Sequence, residues 1–227
     1  MSLRVSEDST QFPILEAGEH LGICYSIVDA GTREEQYMDN PPKLRKLIFV
    51  TWEIPALTLD DGRPKATGKK YTASLNENSA LYKDLVTWRG KPFTNEELKS
   101  FDVSKMIGAP ANLHVEHYED KNGKKRAGLK AIFKPDVFKT TETINDPVIF
   151  DLDVYCEFVS GKTDEATVAM SETFDKIPEW LQEIIKDSIE YKAVADKMPV
   201  QDESSPTASG GLSDLVKEED EDEKIPF

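Results

Sequence analysis

Lysine and arginine recur beside aromatic residues through the middle of this chain, and that pairing is the chemistry its residues offer most clearly. Lys43, Arg45 and Lys46 lead into Phe49 and Trp52; Lys65, Lys69 and Lys70 lead into Tyr71. Lys121, Lys124, Lys125 and Arg126 form a later cluster, with Lys130 and Lys134 beyond it, and Tyr37 and Tyr118 lie in the same stretch. A surface for a single nucleic-acid strand needs cations along the backbone path and aromatic faces on which bases stack. The candidate contacts are therefore Tyr37, Lys43, Arg45, Lys46, Phe49, Lys69, Lys70, Tyr71, Lys124, Lys125, Arg126 and Lys130.

Each aromatic also has a packing reading. Trp52 alternates with Ile48, Val50 and Ile54 on an all-apolar face and is expected in the core. Phe49 shares its face with Arg45 and Thr51 and fits surface or core equally well; Tyr71 can turn inward with Leu75 or outward. Trp88 and Phe93 read as packing residues, whereas Tyr37 is the aromatic least easily placed in a core.

No catalytic constellation accompanies these residues. The phosphate-cradling glycine loops, the H-E-x-x-H zinc helix and the G-x-S-x-G elbow are absent. Asp60-Asp61 belongs to a turn, and Asp151 with Asp153 lacks a second carboxylate cluster to complete a two-metal site. Cys24 and Cys156 sit in apolar, strand-like contexts and read as buried free thiols; His114 and His117 read as strand residues rather than ligands. The expectation is a protein without enzymatic activity, cofactor or metal.

The net charge of −15 argues against a polyanion as partner until its distribution is seen. Residues 33–135 carry 19 Lys and Arg against 14 Asp and Glu, a net of +5. Residues 1–32 are at −4, residues 136–199 at −9 and residues 200–227 at −7, so the acidity lies outside a locally basic middle. No apolar run reaches the roughly 18 residues needed to span a membrane, and no secretory leader is visible near Met1, so a soluble, cytoplasmic protein is expected.

The elements that must position the basic middle can be read from periodicity. Alternation predicts strands over residues 20–28, 43–54 and 69–75. Leu81, Leu85 and Trp88 then switch to helical spacing, with Asn78 or Ser79 as cap and Gly90 as stop. Thr94 with Glu97 fits a capping box. Strands over 111–118 and 126–134 follow, joined by a connection containing Asn122-Gly123, a hairpin signal. Three strands, a helix and a two-stranded hairpin make the element order of an OB-fold, a five-stranded barrel whose loops and one face commonly bind oligonucleotides. The reading is mainly β with minor α: residues 1–13 a flexible start, 14–135 the barrel, 136–199 an extension, and 200–227 a disordered acidic tail. Within the extension, residues 148–158 read as an extended arm with one further strand, and residues 177–185 as an amphipathic helix packing Trp180, Leu181, Ile184 and Ile185 on the barrel.

Two resemblances bear on function. Asp220-Glu221-Asp222-Glu223-Lys224-Ile225-Pro226-Phe227 resembles the partner-docking tip of bacterial single-stranded DNA-binding proteins, in which the acidic run steers and the terminal Pro-Phe fills a pocket. Val50-Thr51-Trp52-Glu53, then Lys70-Tyr71-Thr72-Ala73-Ser74-Leu75, the run from Leu85 through Trp88-Arg89-Gly90-Lys91-Pro92-Phe93, and Ile177-Pro178-Glu179-Trp180 resemble single-stranded DNA-binding proteins of tailed phages, over roughly residues 14–190. The resemblances imply sequence-independent binding of single-stranded DNA during phage replication or recombination in the host cytoplasm. They also imply recruitment of replication or recombination enzymes through Asp220, Glu221, Asp222, Glu223, Ile225, Pro226 and Phe227. The rivals are a protein-interaction module without DNA binding and a metal-dependent nuclease at Asp151 and Asp153. No oligomeric state follows from the sequence.

Overall fold

The segment with the strongest strand pattern is apolar on both faces, and both faces are buried. The computed structural model describes residues 14–36, 41–136 and 142–195. In it, strand β2 (Lys43–Thr58) lies next to the central strand β1 (Gly18–Glu35) of a sheet that also holds β3 (Pro64–Thr72), β4 (Pro110–Glu119), β5 (Lys125–Phe133) and the short β6 (Val148–Phe150). Strand order is β3-β2-β1-β4-β5 with antiparallel neighbours, and β6 runs parallel to β1. β4 pairs with β1 only as far as Ile23, and β6 joins β1 at Ser26, Ile27 and Val28. Expected boundaries shift, most visibly for the third strand, which begins at Pro64 and ends at Thr72.

The closed five-stranded barrel anticipated from element order is not reached. The sheet is open: among the described residues β3 and β5 end it without pairing to each other. Helix α1 (Ala80–Arg89) bridges them instead. Its Asp84 accepts from Lys69 Nζ (2.7 Å) and Tyr71 Oη (2.8 Å) on β3, and its Thr87 carbonyl accepts from Lys134 N (3.1 Å) just past β5. Leu81, Leu85 and Trp88 face the sheet and join Cys24, Ile27, Ile48, Val50, Trp52, Leu113, Val115 and Ile132 in a first core. Trp88 meets Trp52 edge-on at 5.2 Å and donates from Nε1 to Pro110 O at 2.8 Å.

The Trp-Arg-Gly-Lys-Pro-Phe run proves to be the end of this helix and its clamp. Ser79 caps the start by accepting from Tyr82 N, and Gly90 closes the end at φ 68°. The Arg89 guanidinium lies over Phe93 (4.3 Å) and Phe101 (4.9 Å) and is ion-paired with Glu97. Glu97 in turn accepts from Thr94 N while Thr94 Oγ1 accepts from Glu97 N, the reciprocal capping box. Only glycine holds Gly90's left-handed backbone without strain, so Gly90→Ala is expected to lower stability by about 1 kcal/mol in urea unfolding.

The extension forms a second core on the opposite face of β1 and β2. Val28, Ala30, Leu47 and Phe49 meet Phe150, Leu152, Tyr155, Phe174, Leu181 and Ile185 there. The expected extended arm is corrected: only β6 is strand, and Leu152–Val159 is helix α2. Leu152, Tyr155, Cys156 and Val159 make a buried stripe at helical spacing, and Asp151 caps them by accepting from Asp153 N and Val154 N. Helices α3 (Glu165–Phe174), α4 (Glu179–Lys186) and α5 (Ile189–Ala195) complete the layer. As anticipated for α4, Leu181 and Ile185 are buried and Trp180 and Ile184 pack against the cluster.

Two details seat this layer. Gly31, at a β-bulge with φ 77°, leaves room for Leu152 Cδ2 and Ser188 Cβ, each 2.5 Å from where a Cβ would stand. Glu53, fully buried on β2, accepts from Ile144 N (2.6 Å), Asn145 N (2.8 Å) and Asn145 Nδ2 (2.7 Å), clasping the chain just before β6. Cys24 and Cys156 are free and buried, one in each core, and burial pushes the Cys156 thiol up to about 11. No helix among the described residues is long and apolar enough to cross a membrane.

Candidate nucleic-acid interface

The structure sorts the basic and aromatic candidates into three groups with different work. The first group is structural. Phe49 is buried at 3% exposure and meets Trp180 edge-on at 5.6 Å, so its ring is not open to a base. Tyr71 is likewise 3% exposed, with its hydroxyl donated to Asp84. Burial first, then the Asp84 carboxylate, raises the Tyr71 phenol well above its usual range, so it stays neutral. Both aromatics are corrected from candidate stacking residues to core. Phe49 lies beside Val28 of β1 under the distant Trp180, and Tyr71 lies beside Ile48 of β2 under the nearby α1.

Lys69 and Lys46 belong to the same group. Lys69 pairs with Asp84 at 2.7 Å and sits 5.4 Å from the Tyr71 ring, holding α1 on β3. Lys46 pairs with Asp29 (2.8 Å) and lies 3.9 Å from Asp153. Burial alone would lower the Lys46 ammonium, but its hydrogen bond to Asp29 and the charges of Asp29, Asp153 and Glu190 hold it above its usual value. This lysine ties β2 to the extension. Thr32 and Arg33 on β1 do the same for α5 and the end of α4: Thr32 N donates to Glu190 at 2.8 Å, and Arg33 pairs with Asp187, the C-cap of α4, at 2.6 Å. Of the two carboxylates of the nuclease reading, Asp151 caps α2 and the exposed Asp153 lies 3.9 Å from Lys46.

The second group gathers where β1 and β2 approach their connecting loop. Arg45 (3.4 Å) and Lys70 (3.6 Å) both approach Glu35, and Lys43 stands opposite Glu35 in register. Lys43 is exposed. Tyr37 lies outside the described residues in that connection, as do all the tail positions from Asp220 to Phe227.

The third group is the β4–β5 hairpin. Asp120 organises its turn, accepting from Asn122 N (2.9 Å) and Lys124 N (2.9 Å) and pairing with Arg126 at 3.0 Å. These bonds hold the Asp120 carboxyl below the usual carboxylate range, led by the one from Lys124 N. Lys124 and Lys125 project into solvent, and Lys130, at a bulge, reaches Glu116 at 3.6 Å. Residues 121–130 carry five cations and no carboxylate.

One aromatic on this hairpin is absent from the sequence-derived candidates. Tyr118 is 54% exposed and directly opposite Arg126. The signal was present in the alternation of β4: Ala111, Leu113 and Val115 point inward, which puts Asn112, His114, Glu116 and Tyr118 on the other face. His117, on the inward set, has Nε2 2.8 Å from Leu15 O and anchors the start of the described chain.

The pairs of Arg45 and Lys70 with Glu35 are partly buried and that of Arg126 with Asp120 more so, whereas the Lys130–Glu116 pair is largely exposed, and exposed pairs contribute about 0–1 kcal/mol each. Lys130 can therefore exchange its carboxylate for a phosphate at little cost. No known protein family, curated protein or solved structure matches this chain.

Proposed function

We propose that this chain is a non-enzymatic single-stranded DNA-binding protein of phage replication or recombination, built on an OB-type core opened between β3 and β5 and bridged there by α1. The observation that carries the reading is the strand order β3-β2-β1-β4-β5, with its helix between β3 and β4, displaying a cation-rich β4–β5 hairpin. OB-folds commonly engage oligonucleotides through the loops that join β1 to β2 and β4 to β5. The second and third groups of cations stand at those two connections. Binding is sequence-tolerant, because phosphates and stacked bases are common to every sequence.

Residues 212–227 serve two purposes in this proposal. Ile225-Pro226-Phe227 docks on a replication or recombination enzyme, and the acidic run competes with DNA for the basic surface. A labelled oligo-dT titration of the full chain and of a chain lacking residues 212–227 tests both. The truncated chain is expected to bind more tightly, most visibly at low salt, and to lose capture of the partner enzyme. Equal affinities would refute the competition. Metal-dependent cleavage of the oligonucleotide that disappears in Asp153→Ala would replace the proposal with the nuclease reading.

A further inference from the structure

The face of an OB core that commonly receives a strand is closed in this protein. On β2, outward-pointing Leu47 and Phe49 are sealed under the extension, Phe49 by Trp180 at 5.6 Å, and Glu53 lies under residues 144 and 145. A base has no aromatic to reach there without displacing a packed core. The other half of the sheet is open. Leu113, Val115, Leu129 and Ile132 fill the first core, so Tyr118, His114, Arg126 and Phe133 point outward. Tyr118 is 54% and Phe133 42% exposed.

We infer that the single strand lies along this outer face of the β4–β5 ribbon, with Tyr118 as the platform on which a base stacks. The inference rests on the single-strand-binding reading and adds to it the path and the stacking residue. The Tyr118 ring is built as a platform. Gly128 lies beneath it, where a Cβ would stand 2.9 Å from Tyr118 Cε1, so the missing side chain lets the ring settle against the strand backbone. Opposite it in register is Arg126, whose guanidinium is braced by Asp120 at 3.0 Å. A rigid ring with a backed face and an open face loses little freedom when a base covers it, and a neighbouring arginine suits the phosphate or the base plane.

Charge selects a nucleic-acid strand as the occupant. Residues 116–130 of this hairpin carry five cations against the carboxylates of Glu116, Glu119 and Asp120, a net of +2, and Lys124 and Lys125 at its turn are exposed, which complements a polyanion. The pair between Lys130 and Glu116 leaves both side chains more than half exposed (67% and 53%), so it can open for a phosphate. Phe133 stands opposite Asn112, six residues along β4 from Tyr118, which is about 20 Å of strand. The two exposed aromatics thus mark the ends of one path, with His114 and Glu116 between them and Glu116 paired to Lys130.

The test uses the full chain and an oligo-dT carrying 5-iodouracil, photo-crosslinked and mapped by peptide mass, together with affinities of Tyr118→Ala and Tyr118→Phe. The expected result is an adduct on Tyr118 or its hairpin neighbours. Tyr118→Ala is expected to weaken binding roughly ten- to a hundredfold while Tyr118→Phe restores it, since stacking needs the ring and not the hydroxyl. Binding that ignores Tyr118→Ala, with adducts on β2 or β3, overturns the path and leaves the function standing. Failure of the unaltered chain to bind overturns the function and the path together.

Discussion

Phe49→Ala is expected to lower the stability of this protein by about 3–5 kcal/mol, the range for removing a buried aromatic from a packed core. Phe49 is 3% exposed, carries Trp180 against its edge at 5.6 Å and joins β2 to the extension within the second core. The ring has no open face, so its effect on DNA affinity should be small. The cleaner variant for that comparison is Phe49→Leu, which retains most of the apolar volume and keeps the chain folded. Urea unfolding of Phe49→Ala and oligo-dT titration of Phe49→Leu give the two readouts. A large drop in affinity for the folded Phe49→Leu chain would show that bases reach this face.

Glu53→Ala should produce the next largest loss, about 2–3 kcal/mol, because hydrogen bonds to a charged group are among the stronger ones and their donors are left without it. Three donors from Ile144 and Asn145 converge on this buried carboxylate. Its removal frees the segment that leads into β6, so amide exchange should rise first at Ile144, Asn145 and the β6 residues Val148, Ile149 and Phe150. Unchanged exchange at those positions would mean that the second core alone holds the extension in place. Tyr25 lies close enough to feel the same carboxylate: burial, then the Glu53 charge, raises its phenol above the usual value.

Much of the fold was legible because local and tertiary demands agree. Ser79, Gly90 and the Leu81-Leu85-Trp88 stripe define α1 by themselves, and Thr94 and Glu97 cap each other as their spacing requires. The β4–β5 hairpin follows from two alternating runs around Asn122-Gly123. What was not legible depends on distant partners. β2 is apolar on both faces, and only the extension decides that Phe49 is covered, by a tryptophan 131 positions further on. Helix α2 was hidden because Val154, Tyr155, Phe158 and Val159 favour strands, while Asp151 and the buried stripe favour a helix.

The site was legible in composition rather than in membership. Cation clusters near two loops were visible, but Lys46 and Lys69 look like their neighbours in sequence until Asp29, Asp153 and Asp84 are brought beside them. A carboxylate 15 positions away, as for Lys69, or 107 away, as for Asp153 from Lys46, leaves no local mark. Tyr118 is visible in the sequence as an aromatic among the cations, but its exposure and the glycine against which its ring lies depend on the pairing of β4 with β5. Sheet closure was lost in the same way, since nothing in β3 or β5 announces that α1 will stand between their ends.

The central claim is that a chain at −15 binds a polyanion through its basic middle. The most direct measurement is an anisotropy titration of labelled oligo-dT with the full chain across a series of salt concentrations. The account predicts saturable binding at low salt, with log affinity falling linearly as log salt rises, the signature of counterion release from neutralised phosphates. Absence of binding at low salt, or an affinity indifferent to salt, would contradict it.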